Sequence, residues 1–275
     1  MRFKRISFFA CSLWCITCGL SCAKDYVTGK SSYNLYPLST DIKLGEEVIQ
    51  SQLAELKSQK KKMDLSADRT EFLRIRRIAQ RLFVVSHIPS LPYEVHLAEM
   101  DIVNAWCAPG GKIMVYTGLW DKKKGLVKKG DDDELAAVLG HEISHATARH
   151  MTESISKQMS LQLAGNLVVS AIGAGSAQGA DLFAKVFVEG MNVYLPSYSR
   201  KNESEADGIG IMYMAMAGYD PRAAVRLWER AAAADKGDKT SLFADHPASG
   251  ERAKHLKELL PKAMEIYKAV GPAPR

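Results

Sequence analysis

The segment His141-Glu142-Ile143-Ser144-His145 constrains this chain more than any other, because it places two imidazoles in the middle of the strongest helical pattern in the sequence. Residues four apart on a helix differ by about 40° in azimuth and one turn in height. Both rings therefore converge from one rigid face on a point that suits a tetrahedral metal ion. Glu142 is rotated about 100° from His141. It reaches past such a metal toward the open position and can take a proton from a water held there. The plainer alternative is a capped amphipathic helix whose histidines are merely exposed. It leaves unexplained why they lie on a helix rich in apolar residues, Ala136, Val138, Leu139, Ile143 and Ala146. Polar groups in such surroundings need partners.

Two histidines make half a site, since catalytic zinc takes three protein ligands plus water. A third histidine in the HExxHxxGxxH arrangement is excluded, because Ala148 and Met151 occupy the Gly and His positions. His150, five residues past His145, points well off the metal face of a continuous helix. A carboxylate from a second helix is the remaining solution, and Ser199–Asp207 supplies two. Glu203 and Asp207 are four apart and face the same way. One can ligate the metal while the other orients a ligand histidine from behind. Glu205 falls on another face and reads as solvated. The small Ala206 and Gly208 would let this helix approach the first closely.

Periodicity organises the rest. Helical stripes run over about 42–60 (Leu44, Val48, Leu53, Leu56) and 68–85 (Phe72, Ile75, Ile78, Ala79, Leu82). Alternation after Pro92 (Tyr93, Val95, Leu97) predicts a strand. Two more strands are expected at Val103–Cys107 and Lys112–Thr117, around the turn Ala108-Pro109-Gly110-Gly111. The Asp131-Asp132-Asp133 run caps a helix over about 132–151, where acidic groups suit the dipole. Helices are further expected over about 200–217, 221–234 (capped by Asp220) and 249–269. The apolar stretch Leu161–Leu195 is interrupted by Gln162, Asn166, Gln178, Asp181 and Lys185, so it reads as two amphipathic helices over the active-site layer rather than a membrane span.

Arg2, Lys4 and Arg5, the apolar run Ile6–Leu20 and the small residues Ser21-Cys22-Ala23 have the layout of a bacterial export signal. Lipidation at Cys22 is the preferred reading over cleavage at an ordinary small-x-small site. Residues 25–39 then form a tether or ordered arm. Four of the five cysteines sit in or at the end of this signal, and Cys107 reads as a small buried hydrophobe. The net charge of +6 loses three positive charges with the signal, leaving +3. That is too mild to argue for nucleic acid, and no basic helix with interleaved aromatics is present.

HExxH followed by Glu203-x-x-Ala206-Asp207 resembles the zinc endopeptidase family of the CAAX prenyl proteases, in its bacterial periplasmic branch of the BepA/LoiP type. The likeness extends to Asn104-Ala105-Trp106-Cys107-Ala108-Pro109-Gly110-Gly111, to Glu134–Gly140 ahead of the HExxH, and to His246-Pro247 followed by Arg252. With the sequence read to Arg275, no C-terminal repeat domain of the BepA kind is expected, and the LoiP type is the expected nearer likeness. The resemblance implies one zinc ion per chain on His141, His145 and Glu203, Glu142 as catalytic base, and Asp207 behind the ligands. It also implies that the strand with Asn104, Ala105 and Trp106 is the sheet edge where an extended substrate pairs. His246 would be a helix-capping residue, a donor to the oxyanion, or a fourth zinc ligand.

The expected fold is therefore α+β, a mostly helical zincin-type metalloprotease with a small mixed or antiparallel sheet beside the HExxH helix. The expected division is export signal 1–21, tether 22–40 and a single metallopeptidase domain 41–275. The expected function is zinc-dependent endoproteolysis of unfolded or misassembled envelope proteins. Its setting would be the periplasm, on an outer-membrane lipoprotein anchored through Cys22, with envelope assembly proteins as further expected partners. The rival is an envelope chaperone or assembly factor with a closed, structural zinc site. An exopeptidase would need a charged pocket for a peptide terminus, and nothing in the sequence points to one.

Overall fold

The helix carrying His141 and His145 is central to the architecture because its acidic start is tied to two neighbouring helices. The computed structural model describes residues 29, 32–121, 125–158, 160, 198–234 and 250–274. The expected export signal, the Leu161–Leu195 helices and His246 lie outside them. Among the described residues, the elements run α1 (Leu38–Ser58), α2 (Leu65–Val85), β1 (Glu94–Ala98), β2 (Ala105–Ala108), β3 (Lys112–Tyr116) and α3 (Asp132–Thr147). A helical segment over 150–158, here α4, follows. The chain then forms α5 (Arg200–Met216), α6 (Arg222–Ala234) and α7 (Gly250–Val270). No helix among the described residues is long and apolar enough to cross a membrane.

Asp131 caps α3 by accepting from the amides of Asp133 and Glu134, which satisfies two of the donors a helix start leaves over. Asp132 accepts from Arg74 (2.5 Å) and Arg77 (2.6 Å) of α2. Glu134, fully buried, accepts from Arg230 of α6 (3.0 and 2.8 Å). The acidic run thus docks two helices as well as favouring the dipole.

The sheet is mixed, in the order β1-β3-β2: β1 pairs parallel with β3, and β2 pairs antiparallel with it. Gly110 (φ 73°) and Gly111 (φ 84°) make the β2–β3 turn, a left-handed backbone that side chains with a Cβ resist. Alternation splits β2 between two cores. Ala105 and Cys107 join the main core with α3, whereas Trp106 and Ala108 join a second cluster with Val48, Ile49 and Leu56 of α1.

The α2 stripe Phe72, Ile75, Ile78, Ala79 and Leu82 is buried as its spacing predicts. Asp68 has extended dihedrals and accepts from the amide of Glu71 (3.1 Å), so it caps the regular helix that follows. α1 begins at Leu38, earlier than the expected residue 42. Its first turn carries no apolar stripe and is held instead by buried Asp41, which pairs with Arg149. The arm before it lies along α4: Asn34 donates to Thr152 (2.8 Å) and the Leu35 amide to Ser156 (3.0 Å).

The expected 132–151 helix is broken. Arg149 adopts a left-handed φ of 58°, held by Asp41 and by its 2.6 Å donation to the Tyr36 carbonyl. A tertiary ion pair of this kind leaves no trace in helical periodicity.

Candidate metal centre

α3 and α5 cross where neither has a side chain. A Cβ on Gly210 would lie 2.9 Å from the His141 nitrogen, and one on Gly140 would lie 3.0 Å from the Gly210 oxygen. This pair, rather than the expected Gly208, brings the two helices together. Gly208 faces Leu259 and His255 of α7. Ala206 is fully buried, as a close approach requires. Ser199 caps α5 through the Asn202 amide, which places Glu203 in the first turn and Asp207 one turn later.

His141, His145 and Glu203 converge there, each with ligand atoms within 4.8 Å of the others, and all three are buried. The two Nε2 atoms lie 3.1 Å apart. Glu203 Oε2 is 3.4 Å from His141 Nε2, and its Oε1 is 3.6 Å from His145 Nε2. Neighbouring ligands on a tetrahedral zinc at 2.0–2.1 Å stand about 3.3 Å apart, so the donor set fits such an ion without rearrangement. The charge fits as well. The buried carboxylates Glu142, Glu203 and Asp207 face one buried guanidinium, Arg252, and a divalent cation would neutralise the remaining two negative charges. Burial and Arg252 both favour neutral His141, but Asp207 and Glu203 outweigh them and raise its pKa.

Asp207 stands behind His141, its Oδ1 3.0 Å from Nδ1. Of the two α5 carboxylates, Glu203 faces the convergence point and Asp207 the far side of the His141 ring. Burial alone would raise the Asp207 carboxyl, yet the Arg252 charge and hydrogen bonds, aided by His141, hold it below the usual range.

Four other contacts at this centre escaped the sequence reading. Arg252 has no role assigned by its spacing, but its fork donates to both Asp207 oxygens (2.8 and 2.7 Å). Its Nη1 lies 2.7 Å from Glu203, and the guanidinium sits 3.6 Å over the Trp228 ring. Tyr198 stacks on His145 at 3.8 Å. His150 is a correction: the break at Arg149 returns it to the site, with Nδ1 2.9 Å from His145 Nδ1. Glu205 is another, being only 23% exposed and 3.4 Å from His150 Nε2 rather than fully solvated. The signal for Arg252 was its place in the His-Pro-x-x-x-x-Arg segment. Nothing local marked Tyr198 or Glu205.

Glu142 is buried beside His141. β2 passes close enough that burial and the Glu142 charge together push the Cys107 thiol well above its usual pKa, which agrees with Cys107 as an inert core residue. The strand with Ala105 and Trp106, which Asn104 immediately precedes, is an edge of the described sheet. Trp106 turns its side chain away to the α1 cluster, donating to Tyr116 (3.0 Å), so only its backbone is left to face that edge.

The chain is 37% identical over 195 residues to the mitochondrial metalloendopeptidase OMA1 of Schizosaccharomyces pombe, covering 70% of this chain and 53% of that one. It is 32% identical over 167 residues to the metalloprotease LoiP of Escherichia coli, covering 60% of this chain and 61% of that protein. Against the E. coli metalloprotease YcaL the identity is 28% over 185 residues, covering 67% and 68%. The chain thus spans about half the length of the fission-yeast relative. Residues 69–260 match the family described as Peptidase family M48. With the His-His-Glu cluster and the flanking motifs inside that span, the chain belongs to peptidase family M48.

Proposed function

We propose that the protein is a zinc metalloendopeptidase that cuts extended segments of unfolded or misassembled polypeptides. The observation that carries this is the convergence of His141, His145 and Glu203 at spacings of 3.1 to 3.6 Å, the edge lengths of a tetrahedral site. The names of the relatives, metalloendopeptidase and metalloprotease, support the same reading.

His141, His145 and Glu203 hold the ion, and Asp207 keeps the His141 ring oriented by accepting from its Nδ1–H. Zinc bound there supplies Lewis-acid polarisation and a lowered water pKa near neutrality. Glu142 receives the proton of the attacking water on its carboxylate and returns it to the leaving amine. The backbone of Ala105–Cys107 pairs with an extended substrate, so recognition is led by the main chain rather than by a side-chain pocket. An edge strand next to the HExxH helix suits that role.

The reading of place rests on the N-terminal sequence. A basic, apolar, then small-residue series ending at Cys22 supports export to the periplasm with a lipid anchor, on the outer membrane given Ala23 rather than Asp after the cysteine. Loss of palmitate labelling in Cys22→Ala tests it.

Glu142→Gln should keep one zinc per chain while cleavage of a denatured substrate such as casein falls by at least 100-fold, in line with loss of a general base. Retained cleavage in the zinc-replete variant would refute the assignment. Zinc-replete wild-type protein that cuts no unfolded substrate would favour the closed, structural site instead.

A further inference from the structure

We propose that His150 and Glu205 are positioning residues for the metal ligand His145, a role that rests on the metal-site reading above. A ligating imidazole holds its tautomer and orientation by donating its other ring N–H to an acceptor, and without one metal affinity falls. His141 has Asp207 for this, 3.0 Å from Nδ1. At His145 the place of the carboxylate is taken by another imidazole, the His150 ring, with the two Nδ1 atoms 2.9 Å apart.

The proton positions along this chain follow from one another. His145 turns Nε2 toward His141 and Glu203, so its proton is on Nδ1. That N–H donates to His150 Nδ1, which must therefore be bare. The His150 proton then sits on Nε2, and Nε2 faces Glu205 Oε2 at 3.4 Å. Each ligand histidine thus ends on a carboxylate, one directly and the other through His150.

The local backbone is shaped to make this contact. On an unbroken helix His150 would lie about 140° around from His145. Arg149 instead takes a left-handed φ of 58°, which residues with a Cβ rarely adopt, and Asp41 and the Tyr36 carbonyl hold it there. His150 is 1% exposed, so its ring is fully committed to the interior. Tyr198, stacked at 3.8 Å, confines the face of the same His145 ring.

The test is zinc affinity by chelator competition, alongside the Tm of the metal-stripped proteins. His150→Leu should weaken zinc binding by about 10- to 100-fold. His150→Asn, whose Oδ1 can replace Nδ1 as acceptor, should recover most of it. Glu205→Ala should weaken binding several-fold, and adding it to His150→Leu should change little further, because both act through one chain. Affinity within twofold of wild type in His150→Leu, with only the metal-free Tm lowered, would reduce His150 to a packing residue and overturn the proposal. Should His150→Leu fail to fold, Glu205→Ala decides, and unchanged affinity there overturns it. Wild-type protein that binds no zinc would defeat the metal-site reading itself. Wild type that binds while Glu203→Ala does not, with His150→Leu unaffected, would defeat only this inference.

Discussion

Replacing Arg252 by methionine should destabilise the protein more than any other single change at the metal centre. The side chain is 5% exposed and makes two donations to Asp207, at 2.8 and 2.7 Å. It also approaches Glu203 at 2.7 Å and lies 3.6 Å over Trp228. Methionine keeps much of the volume but leaves two buried carboxylates without their counter-charge. Removing one partner of such a buried cluster costs about 3–5 kcal/mol. For a fold of this size each kcal/mol moves Tm by roughly 2–4 °C, so a fall of about 6–20 °C is expected by circular dichroism. The loss should be larger in metal-stripped than in zinc-saturated protein, because a cation held at the His141–His145–Glu203 cluster would still neutralise Glu203. Arg252→Lys should lie between, since an ammonium restores charge but cannot fork to both Asp207 oxygens. The pH dependence has a definite sign. Asp207 is held below its ordinary pKa, so its contribution is present above about pH 4 and is lost as pH falls through the lowered value. The gap between wild type and Arg252→Met should therefore close in acid. A loss under about 1 kcal/mol, or a gap that stays constant with pH, would refute the reasoning, since neither follows from uncovering buried carboxylates.

Gly210→Ala should cost about 1–3 kcal/mol and weaken zinc binding, because its Cβ meets backbone atoms of His141 and Gly140 at 2.9 and 3.0 Å. Gly208→Ala meets only the ends of the Leu259 and His255 side chains, at 3.4 and 3.8 Å. It should be neutral or stabilising by up to about 1 kcal/mol in chemical denaturation; a loss equal to that of Gly210→Ala would contradict the crossing described. His96 has its pKa raised, first by its hydrogen bond to Asp64. That stability is full below about pH 6.5 and disappears as pH rises through the raised value. The Tm deficit of His96→Gln should accordingly shrink from pH 5.5 to 8.5, and an unchanged deficit would count against the pair. Cys107, 4% exposed with its pKa pushed well up, should resist a thiol reagent in the folded protein and react on unfolding; rapid labelling under native conditions would contradict its burial.

Most of the secondary structure was legible because its signals are local. The α2 stripe, the Asp131 cap and the Gly110-Gly111 turn each follow from residues within a few positions of one another. Boundaries slipped where distant ion pairs took over. Asp41 extends α1 forward and, through Arg149, ends α3 early. The close helix crossing was expected from a small residue, but only the fold selects Gly210 over Gly208.

The sequence by itself determined the donor types and their presentation: two histidines one turn apart, a glutamate between them, and a second helix with carboxylates four apart. Helical geometry suffices for that, since it is periodic and local. Only the tertiary structure decided which carboxylate faces the metal position and which stands behind His141. It alone brought Arg252, Tyr198, His150 and Glu205 to the same centre. Those contacts depend on how helices far apart in sequence rotate against each other, and that rotation is set by the whole buried surface rather than by any one segment.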